Sequence, residues 1–475
     1  LIEIKKVNEV HIKIDCPEDV AFELSDLFTF EVPGAKFTPV YKKKLWDGKI
    51  RLFNIKRKTL YAGLLDHVKE YFDQKEYEYN VDCPTDPLTI KDFQSFVRDI
   101  GVPDSIKPRD YQIEAVKHAA ANSRALLLSP TASGKSLIIY LLTRLYEDKT
   151  LIIVPTTSLV YQMRDDFVSY GYDIDNIHCI MSGKEKVSDK PVVISTWQSI
   201  HKESNNFYFP YKVIIGDEAH LFKAKSLTSI MEKTTDVPYR FGFTGTLDGS
   251  YTNKLVLEGL FGPVKKVVTT KELMDADHLA DMKVKCIGLN HSDEMKKAMK
   301  AATYQQEIEY LCTSQKRNKF IKGLALSSKG NTLVLFQMVE KQGRMLFDLI
   351  KENGRNVFYV DGRTKAEDRE YVRKYAEEND NVIIVASYGV FSTGVNIKNL
   401  HNVIFASPSK SRVRNLQSIG RGLRKSSKKD KAVIYDIFDD IRYRKRENYT
   451  YLHFKARLKI YTEEKFNFKV YEFDI

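Results

Sequence analysis

Ser129-Pro130-Thr131-Ala132-Ser133-Gly134-Lys135-Ser136 follows the apolar run Ala125-Leu126-Leu127-Leu128 and precedes Leu137-Ile138-Ile139-Tyr140-Leu141-Leu142. That order reads as strand, loop, helix. A loop of small residues feeding a helix N-terminus turns several backbone N–H groups toward one point, and the helix dipole favours negative charge there. The stretch is therefore a cradle for a polyphosphate, lined by Ser129, Pro130, Thr131, Ala132, Ser133 and Gly134. Lys135 would reach the β- and γ-phosphates, and the Ser136 hydroxyl would sit on Mg²⁺. Gly-Lys-Ser also recurs by chance before ordinary helices, so the assignment depends on what surrounds it.

Outward from this loop, short apolar strands alternate with helical segments. Strands are expected at 151–154, 192–195 and 213–217 and again at 240–244, with a helix over 158–167. Continuous apolar strands with intervening helices imply a parallel sheet covered on both faces. Asp217 and Glu218 end one of these strands, at the carboxyl edge where open α/β sheets bind ligands. Asp217 would hold Mg²⁺ through a water while Glu218 orients or deprotonates an attacking water. Phosphoryl transfer needs chiefly such positioning and charge neutralisation. Alone, this pair reads as a strand-end cap. In one sheet with the Lys135 loop, it reads as a nucleoside triphosphatase using ATP and Mg²⁺.

The same grammar returns after a linker over 269–303, with strands at 332–336, 356–360, 382–387, 403–406 and 432–435. There is no second phosphate loop. Instead, Gln417-Ser418-Ile419-Gly420-Arg421-Gly422-Leu423-Arg424 sets Arg421 and Arg424 three apart, on one side of a helix. Arginine is a planar, permanently charged partner for a transferring phosphate. One nucleotide site served by two lobes explains both the missing loop and the arginines; binding would close the cleft and hydrolysis open it. The expected organisation is a small basic α+β domain over 1–88, an ATP-binding lobe over 89–270, and a linker with the second lobe over 271–440. A C-terminal extension over 441–475 begins as a helix rich in bases and aromatics.

The 475 residues suffice for several cores, and 43% hydrophobic with 29% charged residues is ordinary for a globular chain. No run approaches the ~20 apolar residues of a membrane span, and Leu1-Ile2-Glu3-Ile4-Lys5-Lys6 lacks a signal-peptide shape, so a cytoplasmic protein is expected. Cys16, Cys83, Cys179, Cys286 and Cys312 are too scattered for a disulfide framework or a zinc site. The net charge of +12 points to a polyanionic partner. It concentrates between Lys36 and Lys58, where nine bases face one acid, Asp47. Asp47-Gly48 within Leu45-Trp46-Asp47-Gly48-Lys49-Ile50 predicts a two-residue hairpin. It would pair Trp46 with Lys49, Lys44 with Arg51 and Leu45 with Ile50. One face then carries Lys42, Lys44, Trp46, Lys49 and Arg51, whose mutual repulsion a phosphate backbone would relieve while Trp46 stacks on a base.

Over residues 105–440 the ordered motifs resemble a superfamily 2 DExH-type helicase. Arg109, Tyr111 and Gln112 resemble its adenine-recognition motif and Ser129–Ser136 its motif I. Pro155-Thr156-Thr157-Ser158-Leu159-Val160 with Gln162 is similar to motif Ia, Asp217-Glu218-Ala219-His220 to motif II and Thr244-Gly245-Thr246 to motif III. Asp361-Gly362 and Thr393-Gly394-Val395-Asn396 resemble the nucleic-acid-side motifs of the second lobe, and Gln417–Arg424 resembles motif VI. The resemblance implies two RecA-like lobes in tandem. It implies that His220 and Gln417 couple hydrolysis to lobe movement, with Thr244, Thr246, Gly394 and Asn396 serving the same coupling. Pro155, Thr156 and Thr393 would touch the strand backbone. Ser129 and Ala132 depart from the family in replacing common glycines, and Asn396 replaces the usual Asp.

Thr-Gly-Thr and Gln-x-x-Gly-Arg resemble the DNA-acting branches. With the basic N-terminal domain, that resemblance implies branch migration, fork regression and R-loop and D-loop strand displacement in recombination, repair and recombination-dependent replication. The partner would be branched or partly single-stranded DNA, with an RNA–DNA hybrid as a further substrate, and the protein a monomer. The rival readings are an ATP-gated nucleic-acid binding or annealing protein, and an RNA helicase or duplex translocase that never separates strands. A metabolic kinase has no use for the second lobe, and the N-terminal region shows no nuclease site for a restriction motor.

Overall fold

The structure, a computed structural model, describes residues 1–32, 34–130, 132–181, 183, 185–247, 250–352, 354–393, 397, 399–407, 411 and 431–475. Two compact units emerge, one built on residues 1–129 and 134–267, the other on 268–475 with 130–133.

The first unit begins with β1 (Ile2–Lys6), β2 (His11–Asp15), β3 (Thr29–Glu31), β4 (Lys49–Arg51), β5 (Thr59–Tyr61) and β6 (Tyr79–Asp82). Four of these form a sheet in the order β5-β2-β1-β6, with β6 parallel to β1 and the other pairs antiparallel. Period-two alternation buries Ile4, Ile12 and Ile14 on the face that the helices Glu18–Leu27 and Leu65–Gln74 cover with Leu24, Val68 and Phe72.

The two-residue hairpin does not form. Pro39 opens a short helix, Pro39–Lys42, capped by the Thr38 hydroxyl, and β4 pairs with the more distant β3. Glu31 then faces Lys49 and Thr29 faces Arg51, which replaces the expected Lys44–Arg51 repulsion with an opposite-charge pair. Asp47 is drawn into this turn as an acceptor for the Lys49 N–H and the Arg51 guanidinium.

The rest of this unit is a seven-stranded sheet of β7 (Arg124–Leu128), β8 (Thr150–Val154), β9 (Ile177–Ile180), β10 (Val192–Thr196), β11 (Val213–Asp217), β12 (Tyr239–Thr244) and β13 (Val264–Lys266). The order is β13-β7-β12-β11-β8-β10-β9, and every neighbouring pair is parallel. Strands β8, β10 and β11 are buried along their whole length, as expected of a sheet covered on both faces. The N-terminal domain is bonded to this lobe. The Arg124 guanidinium donates to the Glu9 carbonyl at 2.9 Å, Tyr61 Oη donates to Glu232 at 2.6 Å, and Leu255 completes the N-terminal core.

The second unit holds another all-parallel sheet. Its strands are β14 (Asp281–Asn290), β15 (Thr332–Phe336), β16 (Val357–Val360), β17 (Ile383–Ser387), β18 (Asn402–Phe405), β19 (Lys431–Asp440) and β20 (Asn467–Asp474), in the order β16-β17-β15-β18-β19-β14-β20. Two sequence expectations change here. The stretch read as linker contains β14, a ten-residue interior strand between β19 and β20. The C-terminal segment, expected to begin as a helix, is not helical over 441–448; its helix runs Tyr449–Glu463, and the chain then adds β20 to the sheet edge. Arg457 on that helix is fully buried and its guanidinium grips Asp436 of β19 at 2.7 Å, so the helix is part of the lobe. The chain thus carries two RecA-like lobes in tandem behind a small α+β domain. Among the described residues no helix is long and apolar enough to cross a membrane, and all five cysteines are free thiols.

Candidate functional site

Strands β7, β12, β11 and β8 are adjacent and parallel, so their carboxyl ends form one edge. Onto that edge the sequence places the phosphate loop after β7, Thr244 at the end of β12, Asp217 at the end of β11, and Pro155-Thr156 after β8. Motifs scattered over some hundred residues of chain meet because parallel strands all point the same way.

The loop is held at both ends. Ser129 N–H donates to the Thr244 carbonyl at 2.8 Å, and the Ser133 hydroxyl donates to the Pro130 carbonyl at 2.7 Å. Gly134 takes a left-handed φ of +76°, and a Cβ there would stand 2.4 Å from Gln112 Nε2. Glycine is therefore needed twice, for its conformation and for its lack of a side chain. Ala132 also takes a left-handed conformation, φ +66°, and holds it at a cost of about 1–2 kcal/mol. Lys135 Nζ lies 3.4 Å from the Ser129 carbonyl, folded back over the loop, and Ser136 Oγ lies 2.8 Å from Tyr170 Oη. Thr131 lies outside the described residues.

The residues expected to recognise adenine, Arg109, Tyr111 and Gln112, lie at the start of the helix Asp110–Asn122. Gln112 is buried; its Oε1 accepts from the Arg109 N–H at 2.9 Å and its Nε2 donates to the Gly134 carbonyl at 3.3 Å. Arg109 Nη1 donates to Tyr111 Oη at 2.6 Å. One glutamine thus braces its own helix cap against the phosphate loop.

Asp217 is 9% exposed, and its Oδ1 accepts the Glu218 N–H at 2.9 Å. Burial and the neighbouring Glu218 carboxylate push its carboxyl up to about 6, against the opposing pull of the Lys135 ammonium. Glu218 sits at φ +52°, a bend that costs a non-glycine residue about 1–2 kcal/mol. His220 Nδ1 stands 3.0 Å from Thr244 Oγ1 and 3.3 Å from Glu218 Oε2. The Thr244 hydroxyl gives its own proton to the Thr246 carbonyl at 2.9 Å. It therefore accepts from His220, which places the imidazole proton on Nδ1. A polar chain runs from Glu218 through His220 and Thr244 to Thr246, whose own hydroxyl is buried and has no hydrogen-bond partner among the described residues.

On the other side of β11, Thr156 caps the helix Thr157–Ser169, and Gln198 Nε2 donates to the Pro155 carbonyl at 3.3 Å. In the second lobe, Asp361 follows β16 buried, its Oδ1 accepting the Arg363 N–H at 2.8 Å. Thr393 ends the helix Tyr388–Thr393. Gly394, Asn396, Gln417, Arg421 and Arg424 lie outside the described residues.

The basic residues of the N-terminal domain do not share a hairpin face. Lys42 ends the helix Pro39–Lys42, Lys44 takes φ +57° in the turn after it, and Lys49 and Arg51 lie on β4. Trp46 is half-buried and donates from Nε1 to the Lys49 carbonyl at 2.8 Å. Leu45, expected to pair with Ile50, is instead 75% exposed, and Phe37, which the sequence analysis did not single out, is 82% exposed. Tyr170 was also missed, since nothing in the local sequence distinguishes it from a core tyrosine.

Three family models match the chain: a type III restriction enzyme res subunit over residues 105–249, the N-terminal domain of the DNA helicase UvsW over 2–82, and a helicase conserved C-terminal domain over 315–426. The chain is 37% identical over 486 residues to the ATP-dependent DNA helicase UvsW of Enterobacteria phage T4, covering 96% of each. It is 24% identical to a DNA 3'-5' translocase of Sulfurisphaera tokodaii, over 78% of this chain and 88% of that one. Among solved structures, that of T4 UvsW matches with a TM-score of 0.53 and 35% identity, across 100% of this chain and 99% of the other. With the phosphate loop, the acidic strand end and the His220–Thr244 link on one sheet edge, and a full-length relative at this identity, the chain belongs to the UvsW family of superfamily 2 helicases and is an ATP-dependent helicase.

Proposed function

We propose that this helicase acts on branched DNA, using ATP hydrolysed at the carboxyl edge of the first lobe's sheet to displace strands during branch migration, fork regression and R-loop or D-loop removal. The observation that carries the reading is the convergence of Lys135, Ser136, Asp217, Glu218 and His220 on that edge. In this reading Gln112 and Arg109 receive the adenine, and backbone N–H groups of Ser129–Gly134 cradle the phosphates. Lys135 exchanges the Ser129 carbonyl for the β- and γ-phosphates. Glu218 orients the attacking water and takes its proton, and His220 passes the state of Glu218 to Thr244 and Thr246. Gln417, Arg421 and Arg424 are proposed to act on the transferring phosphate, and Gly394 and Asn396 in coupling.

A hard divalent cation suits the donor set. Asp217 brings a carboxylate whose ionisation is held back by burial and by Glu218, and Ser136 brings a hydroxyl oxygen. Asp217 and Ser136 would hold Mg²⁺, which would neutralise phosphate charge when bound. On the nucleic-acid side, Pro155, Thr156 and Thr393 are proposed to follow the strand backbone. Lys42, Lys44, Lys49 and Arg51 of the N-terminal domain would grip phosphates near Trp46. The protein would work in the cytoplasm, as a monomer.

The test is one panel of forks, four-way junctions, R-loops, plain duplexes and single strands, with ATP hydrolysis and strand release followed on each. Branched substrates should stimulate hydrolysis most and lose a strand, and Lys135→Ala should abolish both. Equal stimulation by plain duplex without strand release would make the protein a translocase. Annealing that persists in Lys135→Ala would make it an annealer.

A further inference from the structure

Ser136 Oγ, the hydroxyl assigned above to the cation, lies 2.8 Å from Tyr170 Oη, and the chemistry so far gives Tyr170 no role. The tyrosine is firmly placed. It caps the C-terminus of the helix Thr157–Ser169, with its N–H on the Asp166 and Phe167 carbonyls. Its ring packs on Tyr140, centroids 5.4 Å apart, about one turn beyond Ser136 on the helix Lys135–Tyr146. Tyr140 is itself fully buried and held edge-on by Phe167 at 5.2 Å. The Tyr170 hydroxyl therefore reaches Ser136 from a braced ring.

Two hydroxyls this close form one hydrogen bond, in which either can donate, and its direction has consequences. A serine that ligates a divalent cation offers an oxygen lone pair and must place its own proton on some acceptor. If Tyr170 donated, it would occupy a lone pair of Ser136. If Ser136 donates, its proton is settled, its rotamer is fixed, and its lone pairs remain open.

We propose that Tyr170 is a positioning residue of the ATP site, its hydroxyl accepting the Ser136 proton so that Ser136 meets the nucleotide's cation in the right rotamer with a lone pair free. This rests on the assignment of Ser136 made above.

Tyr170→Phe keeps the ring on Tyr140 and removes only the hydroxyl. The readout is equilibrium binding of ATP at increasing Mg²⁺, with parallel titrations in EDTA and a thermal melt. The half-saturating Mg²⁺ concentration should rise roughly 5- to 10-fold, as for loss of one hydrogen bond between neutral groups. ATP affinity in EDTA and the melting temperature should not move. In a Ser136→Ala background, which itself loses the Mg²⁺ dependence, Tyr170→Phe should add nothing. An unchanged Mg²⁺ requirement would show the bond to be incidental, and a lower one would show Tyr170 to be a competitor of the cation; either overturns the proposal. Equal weakening in EDTA and in Mg²⁺ would reduce Tyr170 to packing and overturn it too. If Ser136→Ala leaves Mg²⁺ dependence intact, the assignment of Ser136 fails first, and the role of Tyr170 with it.

Discussion

Asp217 ends a buried strand, and that placement changes its chemistry. Its folded carboxyl lies near 6, above its ordinary value, because burial and Glu218 both oppose the anion. A raised pKa means that the folded protein binds this proton more tightly than the unfolded chain. The stabilisation is complete below the ordinary carboxyl range near 4 and is lost as pH rises through about 6. At neutral pH the free protein therefore carries an ill-placed anion, which a cation at the site would relieve. Asp217→Asn should raise the melting temperature of the nucleotide-free protein at pH 8, with the gain vanishing toward pH 4. Calorimetry of Mg·ATP binding in buffers of different ionisation enthalpy should show protons released near pH 6 and none at pH 8. A melting temperature for Asp217→Asn that is lower at every pH would contradict this reading.

At the scale of elements, the N-terminal domain is set against the first lobe by backbone as much as by side chains. A Cβ on Gly63 would lie 2.0 Å from the Glu258 carbonyl and 2.8 Å from that of Gly259, and a Cβ on Gly259 would lie 2.9 Å from Tyr61. Around this contact His67 meets Glu258 at 3.1 Å and Tyr61 meets Glu232. Gly63→Ala should cost about 1–3 kcal/mol and loosen the domain. It should be seen as a lower melting temperature and faster proteolysis near 83–87, with the ATP affinity of the lobe retained. Cleavage and melting like those of the unsubstituted protein would show that the contact gives way freely.

The buried parallel strands were legible because they are continuous apolar runs, and so were the motifs at their ends. The β14 strand was not. Asp281-Met282-Lys283-Val284-Lys285 alternates charge with apolar residues as a linker or an edge would, yet the strand is interior, and Lys285 covers the Tyr435 ring at 5.4 Å. The Asp47-Gly48 hairpin failed for the converse reason. A local turn signal was outweighed by Pro39 at a helix start and by Glu31, a partner for Lys49 distant in sequence. Tyr170 could not be found from sequence, because its meeting with Ser136 depends on how two helices pack. The helix Thr157–Ser169 runs from its N-cap Thr156, proposed to face the strand, to its C-cap Tyr170.

At the scale of the molecule, the chain repeats one architecture twice and equips the two copies differently. The first sheet carries a phosphate loop and an acidic strand end. The second has no such loop, and buried pairs tie its helices to β19: Arg457 with Asp436, and Arg317 with Asp439, which His291 also meets at 3.0 Å. That division of labour suits a motor in which one lobe holds nucleotide and the other responds to it. The proposed engine of the protein is the sheet edge carrying Lys135, Asp217 and Glu218. Steady-state ATP hydrolysis and strand release by Glu218→Gln on a labelled fork, with ATP and fork affinities taken on the same protein, test it most directly. Affinities close to those of the unsubstituted protein, with hydrolysis down by about 10²–10⁴-fold and no strand released, are the predicted result. Hydrolysis and strand release near the unsubstituted rate would contradict it.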